Sequence, residues 1–345
     1  MPDKNKVKVM ILDDSMLFRE VMVKGLKNDS RIEIVGAAND PFEAKDMIPE
    51  LAPDVLTLDI EMPRMDGIKF LRHLMPQYPL PVIVISSLKA SVFEAMDAGA
   101  IDFIAKPDSL NEDLTPFMND LKNKIIAASQ ARFAYRKNTI NEIKLDSEGV
   151  KGSVDPLDII AIGASTGGTD AINSMLTKFS GNMPGIVIVQ HMPAGFTSLY
   201  AKRLDAIANI NVREAVNGDE VKPGVALIAP GDYHMTLERT AGIYRVKLNQ
   251  DKKVNGHRPS VDVLFNSVAN AAGSHAIGVI LTGMGSDGAN GLKKIRMSGG
   301  YTIGQDERSS VVYGMPMAAY VGGAVMVQLP LYRIPDEILR KLSGR

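Results

Sequence analysis

Three residues of this chain have the types and settings of an acyl-transfer site. Ser165 lies between an apolar run, Ile159 to Ile162, and a helix-like pattern beginning near Thr169, with Gly163, Gly167 and Gly168 around it. A hydroxyl at a strand-to-helix turn can be exposed at the carboxyl edge of a sheet, where backbone N–H groups can point at a developing oxyanion. His191 follows the apolar run Ile186 to Val189, and Asp287 follows Ala276 to Leu281 within Gly283-Met-Gly-Ser-Asp-Gly288. Serine, histidine and carboxylate at three strand ends meet the logic of nucleophile, base and orienter. Each has a plain alternative: a structural turn for the serine, a surface histidine, and a helix N-cap for the aspartate. Gly283, Gly285 and Gly288, with Asp306 after the next strand, also spell a dinucleotide fingerprint. That reading leaves Ser165 and His191 without a role and too little chain for a second nucleotide-binding half.

A second constellation stands near the N-terminus. Asp13 and Asp14 end a first apolar strand, Asp59 ends a third, Ser86 lies at the end of a fourth, and Lys106 ends a fifth. Three converging carboxylates repel one another unless a hard cation joins them, and such oxygen ligands suit Mg²⁺. A hydroxyl and an ammonium on the same edge can hold phosphoryl oxygens. Taken singly, each acid is as readily a solvated loop residue or a cap. Weaker candidates are Arg258, which can reach an anionic substrate surface, and Tyr233 and His234 in a turn. His73 and His275 read as structural.

The elements that must position these groups alternate strand and helix almost throughout. In the first part, strands at 8–14, 32–38, 54–59, 81–87 and 102–107 are interleaved with helices, which dictates βαβ units and a parallel sheet with its ligands at the carboxyl strand ends. From Asp158 the alternation resumes, with strands expected at 159–163, 185–190, 225–229, 276–282, 301–305 and 324–329. Between Val212 and Gln250 the pattern is instead a β-ribbon, Tyr233 to Arg239 and Tyr244 to Gln250 flanking a Thr-Ala-Gly turn. The polar, mixed-charge stretch 136–155 reads as a mobile interdomain linker. The boundaries are therefore 1–130, a linker at 131–155, and 156–345.

Composition narrows the function classes. At 345 residues two domains are expected. The formal net charge of -1 gives no electrostatic reason to invoke a nucleic-acid partner, and the strand-rich second half supplies no basic helix-turn-helix module. The absence of cysteine removes thiol nucleophiles, disulfides and thiolate metal sites. No apolar run reaches the ~18 residues that span a bilayer, and the charged N-terminus lacks a signal-peptide pattern. A cytoplasmic protein without membrane insertion is expected.

Asp13-Asp14, Asp59-x₃-Pro63-x₂-Asp66-Gly67 and Lys106-Pro107 resemble the response-regulator receiver domain, over about Lys6 to Leu121. The resemblance implies that Asp59 accepts a phosphoryl group from a histidine kinase. It further implies Mg²⁺ held by Asp13, Asp14, Asp59 and the carbonyl near Glu61, phosphoryl contacts from Ser86 and Lys106, and a cis Lys106–Pro107 bond.

Gly163-Ala-Ser-Thr-Gly-Gly168, Gln190-His-Met-Pro193, Ala229-Pro-Gly-Asp-Tyr-His234, His257-Arg-Pro-Ser-Val-Asp262 and Leu281-Thr-Gly-Met-Gly-Ser-Asp-Gly288 resemble the protein-glutamate methylesterases of bacterial chemotaxis, from Asp158 to about Leu342. Although Gly163 to Gly167 spell the G-x-S-x-G of α/β-hydrolases, the order Ser…His…Asp argues against that superfamily. The resemblance implies two doubly wound parallel-sheet α/β domains, a flavodoxin-like receiver and a Rossmann-like esterase domain with an antiparallel β insertion. It implies hydrolysis of glutamate γ-methyl esters on the cytoplasmic helices of chemoreceptors, with deamidation of receptor glutamines as a second activity. Ser165, His191 and Asp287 would be the triad, and no metal is expected at the esterase site. Backbone N–H groups near Thr166 or Met284 are the oxyanion candidates. A chemotaxis histidine kinase would be the phosphodonor, the protein a monomer, and receiver phosphorylation the activating event.

Overall fold

The computed structural model describes residues 6–131, 155, 157–179 and 181–344, and the chain divides into two compact units, Met1–Lys137 and Asn138–Arg345. The expected linker, apart from Ala131 and Asp155, lies outside the described residues.

The first unit runs β1 (Val7–Leu12), α1 (Met16–Lys27), β2 (Ile32–Ala38), α2 (Pro41–Leu51), β3 (Val55–Asp59), α3 (Gly67–Leu74), β4 (Val82–Ser86), α4 (Lys89–Asp97), β5 (Asp102–Ala105) and α5 (Thr115–Ser129). Its five parallel strands lie in the order β2-β1-β3-β4-β5. β3 and β4 are buried along their whole length, which is why they read as continuous apolar runs rather than alternating ones. Helix starts follow local chemistry: Ser15, Asp40 and Asp66 each accept a main-chain N–H of the first turn of α1, α2 and α3. The strand order reverses direction between β1 and β3, so their carboxyl ends open a crevice. One expectation is corrected here. The Lys106–Pro107 bond is trans, the isomer an X–Pro bond favours by default, and the cis bond among the described residues is Arg258–Pro259.

The second unit runs β6 (Ile159–Ala164), α6 (Gly168–Leu176), β7 (Gly185–Gln190), α7 (Phe196–Ile207), β8 (Asn211–Glu214), β9 (Val225–Ile228), β10 (His234–Thr240), β11 (Ile243–Asn249), α8 (Val261–Ala272), β12 (Ala276–Ile280), α9 (Ala289–Met297), β13 (Tyr301–Gln305), α10 (Met315–Val321), β14 (Val327–Leu329) and α11 (Ile334–Ser343). Seven parallel strands lie in the order β14-β13-β12-β6-β7-β9-β8. β6 sits at the centre, and the chain winds to one side of it before crossing to β12 on the other. The switch point is therefore between β6 and β12. The antiparallel ribbon β10-β11 stands apart from this sheet. Its apolar face, Met235, Leu237, Tyr244 and Val246, joins the same core as Val261, Leu264, Phe265 and Val268 of α8. The strand not expected from sequence is β8, an edge strand with a single buried residue, Val212; one apolar position gives no period to read. Among the described residues no helix is long and apolar enough to cross a membrane.

Candidate active site and receiver pocket

Parallel pairing delivers Ser165 and His191 side by side. Ala164 of β6 is the register partner of Gln190 of β7, and the ladder continues one step through the His191 N–H to the Ala164 carbonyl at 3.1 Å. On the other side, the Ser165 N–H donates to the Thr282 carbonyl at 3.0 Å, just beyond β12. The buried Gln190 amide donates to the main-chain carbonyls of Ser165 (2.9 Å) and His191 (3.3 Å), tying the two loops together. Two glycines make this approach possible. Gly167 has φ +77°, left-handed backbone at the N-cap of α6. At Gly283 a Cβ would lie 2.7 Å from Cβ of Ser165. The loop carrying Gly283 is fastened from behind, its carbonyl accepting from Gly314 (3.1 Å) and Met315 (2.7 Å).

Asp287 arrives from the loop after β12 and is 2% exposed. It does not cap its own helix; Gly288 occupies the N-cap of α9. Its carboxylate instead covers the N-terminus of α8, where Ser260 is the N-cap. Oδ1 accepts from Asn255 Nδ2 and Ser260 Oγ, both at 2.8 Å, and from the Asp262 N–H at 3.2 Å. Oδ2 accepts from the Val261 N–H at 2.7 Å and pairs with His191 Nε2 at 2.8 Å. Burial acts to raise the carboxyl, but the bond and charge of His191, with Asn255 and Val261, outweigh it and hold it well below the usual carboxylate range. Nearby Asp262 is pushed the other way, chiefly by burial. Its Oδ2 shares the Asn255 amide at 2.9 Å, and its Oδ1 accepts the Gly291 N–H at 2.7 Å.

An ionised carboxylate only accepts, so the proton of the His191–Asp287 bond sits on Nε2, and Nδ1 carries the lone pair when the ring is neutral. Nδ1 is buried and hydrogen-bonds nothing among the described residues. One face of the imidazole is covered by His257, whose ring stacks on it with centroids 3.7 Å apart. The arrangement offers a base nitrogen, a charge that supports the imidazolium, and a half-buried serine at the adjoining strand end.

The remaining candidates fall outside this centre or at its edge. Thr166 is buried, and its carbonyl accepts the Thr282 hydroxyl at 2.9 Å. The Met284 N–H makes no hydrogen bond among the described residues. Arg258 is occupied within the domain: it donates to Asp232 Oδ1 (3.1 and 2.6 Å) and to the carbonyls of Gln250 and Asp251 (both 2.9 Å). That pins the end of the ribbon, a use the sequence does not distinguish from substrate binding. Tyr233 is exposed. The ring of His234 bridges the Ser260 N–H and the Lys252 carbonyl, a structural role. His73 contacts a carbonyl of its own helix. Asp306, the acid of the dinucleotide alternative, is engaged with the N–H and hydroxyl of Ser309. Asn255, Ser260 and His257 are what sequence reasoning missed as parts of the centre. His257 and Ser260 lie in a motif that resembles the methylesterases, but the motif by itself gave neither residue a partner in the centre.

In the first unit, Asp13, Asp14 and Asp59 each offer an oxygen within 4.8 Å of the others. Three hard, anionic oxygens at this spacing fit a divalent cation such as Mg²⁺. Lys106 Nζ bridges Asp13 Oδ2 (2.8 Å) and Asp59 Oδ2 (2.5 Å) and lies over the Phe18 ring. Burial pushes the Asp59 carboxyl up to about 6 against the opposing pull of Lys106. Ser86 is buried at the end of β4, its hydroxyl accepting the Leu88 N–H at 3.0 Å.

Comparison with known proteins places these two sites in context. Residues 160–338 match the family model described as CheB methylesterase, and residues 9–115 match the response regulator receiver domain. A protein-glutamate methylesterase/protein-glutamine glutaminase of Syntrophomonas wolfei is 54% identical over 98% of both chains. One of Syntrophotalea carbinolica is 47% identical over 99% of both. The crystal structure of the Thermotoga maritima CheB methylesterase catalytic domain is 40% identical, with a TM-score of 0.53, covering 53% of this chain and 98% of that one.

Proposed function

The chain belongs to the CheB methylesterase family, with a response-regulator receiver domain ahead of the esterase domain, and from that premise we propose how it acts as a protein-glutamate methylesterase and protein-glutamine glutaminase. The substrate is the glutamate γ-methyl ester, or the glutamine amide, of a chemoreceptor. Ser165 Oγ attacks the side-chain carbonyl while His191 Nδ1 takes the hydroxyl proton. The positive ring that results is paired through Nε2 with Asp287, which stays ionised throughout. The negative charge on the tetrahedral carbonyl oxygen is met by main-chain donors, the Met284 N–H first and Thr166 second, a contribution of roughly 3–4 kcal/mol in comparable sites. Collapse breaks the bond to the leaving group, and His191 returns the proton, so that methanol departs from the ester or ammonia from the amide. Water, deprotonated by the same nitrogen, then attacks the acyl carbon; the acyl–Ser165 bond breaks as His191 passes that proton to Ser165 Oγ, and the glutamate carboxyl group is released and ionises. The observation that carries this reading is the buried Nδ1 of His191, unpartnered among the described residues while Nε2 is fixed on a carboxylate.

In the receiver, Asp59 accepts a phosphoryl group from a histidine kinase, with Lys106 and Ser86 contacting its oxygens. Asp13, Asp14 and Asp59 would hold Mg²⁺, which when bound neutralises charge on the phosphoryl group.

The direct test is methanol release from methylated chemoreceptor. Ser165→Ala abolishes it while the urea unfolding midpoint stays near that of the parent. Turnover surviving in this variant would overturn the serine mechanism.

A further inference from the structure

His257 contacts the base of this reaction on a side the mechanism does not use. Its ring lies parallel to that of His191, the planes 11° apart and the centroids 3.7 Å apart. A tight turn puts it there. Val254 and His257 exchange main-chain hydrogen bonds at 3.1 and 2.9 Å, and the two residues between them, Asn255 (φ +53°) and Gly256 (φ +83°), take the left-handed backbone that such a two-residue turn requires. The same turn aims the Asn255 amide at Asp287 (2.8 Å) and Asp262 (2.9 Å). One turn thus reaches both members of the pair, His257 touching His191 and Asn255 touching Asp287.

A hydrogen bond at Nε2 anchors one corner of an imidazole but leaves it able to swing about its Cβ–Cγ bond. That swing displaces Nδ1, the corner that must meet the serine hydroxyl. A flat neighbour at stacking distance blocks it, because rotation in either sense drives a ring edge into the partner's face.

We propose that His257 is a positioning residue: by stacking on His191 it fixes the plane of the base, so that Nδ1 is held in line with Ser165. The inference rests on the reading of His191 as the base. A flat ring should therefore be what matters at 257, more than its nitrogens.

Full-length protein with Mg²⁺ and a saturating small phosphodonor is assayed for methanol release from methylated chemoreceptor, in parent, His257→Ala, His257→Asn and His257→Phe forms. The Ala and Asn variants are expected to lose roughly 10- to 100-fold in kcat with KM little changed, the scale of a misplaced reacting group. The Phe variant recovers most of that loss. Asn provides a polar replacement without a ring should Ala fold poorly, with urea midpoints measured for all three. Parent-like kcat in both Ala and Asn, or a Phe variant as slow as they are, would overturn the proposal. Ser165→Ala and His191→Ala are run beside them. If those two keep turnover, the underlying mechanism fails; if they are dead and the 257 series is flat, only the positioning role fails.

Discussion

At the scale of single residues, the site is organised around opposed treatment of two buried carboxylates. Asp287 is surrounded by donors and stays ionised, whereas Asp262, in the first turn of α8 and sharing the Asn255 amide, is pushed toward its neutral form. Asp287→Asn keeps the shape and removes the charge. Under the proposed mechanism its kcat should fall by roughly 10³- to 10⁴-fold, because the imidazolium loses its partner and the ring loses its tautomer. Its unfolding free energy should fall by about 2–4 kcal/mol, since donors arranged for an anion would face an amide. The pH dependence has a definite sign. A carboxyl whose folded value lies below its unfolded value of about 3.9 stabilises the fold fully above that pH, and the benefit is lost as pH falls toward the folded value. Urea titrations from pH 8 to 3 should show a constant gap between parent and variant down to about pH 5, closing only in stronger acid. A gap that closed near neutrality would contradict the placement of Asp287.

At the scale of elements, two loops meet with no room for a methyl group. A Cβ at Gly283 would lie 2.7 Å from Cβ of Ser165 and closer still to the Met315 sulfur. Gly283→Ala should lower the unfolding free energy by about 1–3 kcal/mol through overpacking and reduce kcat by at least roughly tenfold as Ser165 is displaced. Denaturation and methanol release read the two effects separately, and a variant parental in both would show that the loops are free to part. This juxtaposition also explains what was legible beforehand. Buried parallel strands write their length into the sequence as unbroken apolar runs, so β6, β7 and β12 and the residues at their ends could be located. Long-range contacts leave no such record. The capping of α8 by Asp287 joins residues from different loops. The His257 stack comes from a turn whose signal, Asn255-Gly256, says only that the chain reverses. Arg258 was legible as a cation, but the acid and carbonyls that occupy it were not.

At the scale of the whole molecule, one chain carries two parallel sheets, each with its candidate site beside the crevice where strand order reverses: β1 and β3 in the receiver, β6 and β12 in the esterase domain. A receiver domain and an esterase domain share the chain, and we propose that phosphorylation of Asp59 shifts it from a restrained to an active form. A small phosphodonor with Mg²⁺ should raise methanol release by full-length protein roughly 5- to 100-fold, the usual span of coupling between sites. Asp59→Asn should keep the basal rate and lose the response. A response retained by Asp59→Asn would move the control elsewhere.

The ring of donors around Asp287 has one more consequence. In water, an ion is stabilised by dipoles that must turn whenever its charge environment changes, and that turning is a large part of the barrier to charge separation. Here the dipoles are the first N–H groups of a helix, a serine hydroxyl and an asparagine amide, each fastened by the fold before substrate arrives. The carboxylate is an ion in a frozen solvent, and under the proposed mechanism the Ser165 proton would cross to His191 with little left to rearrange.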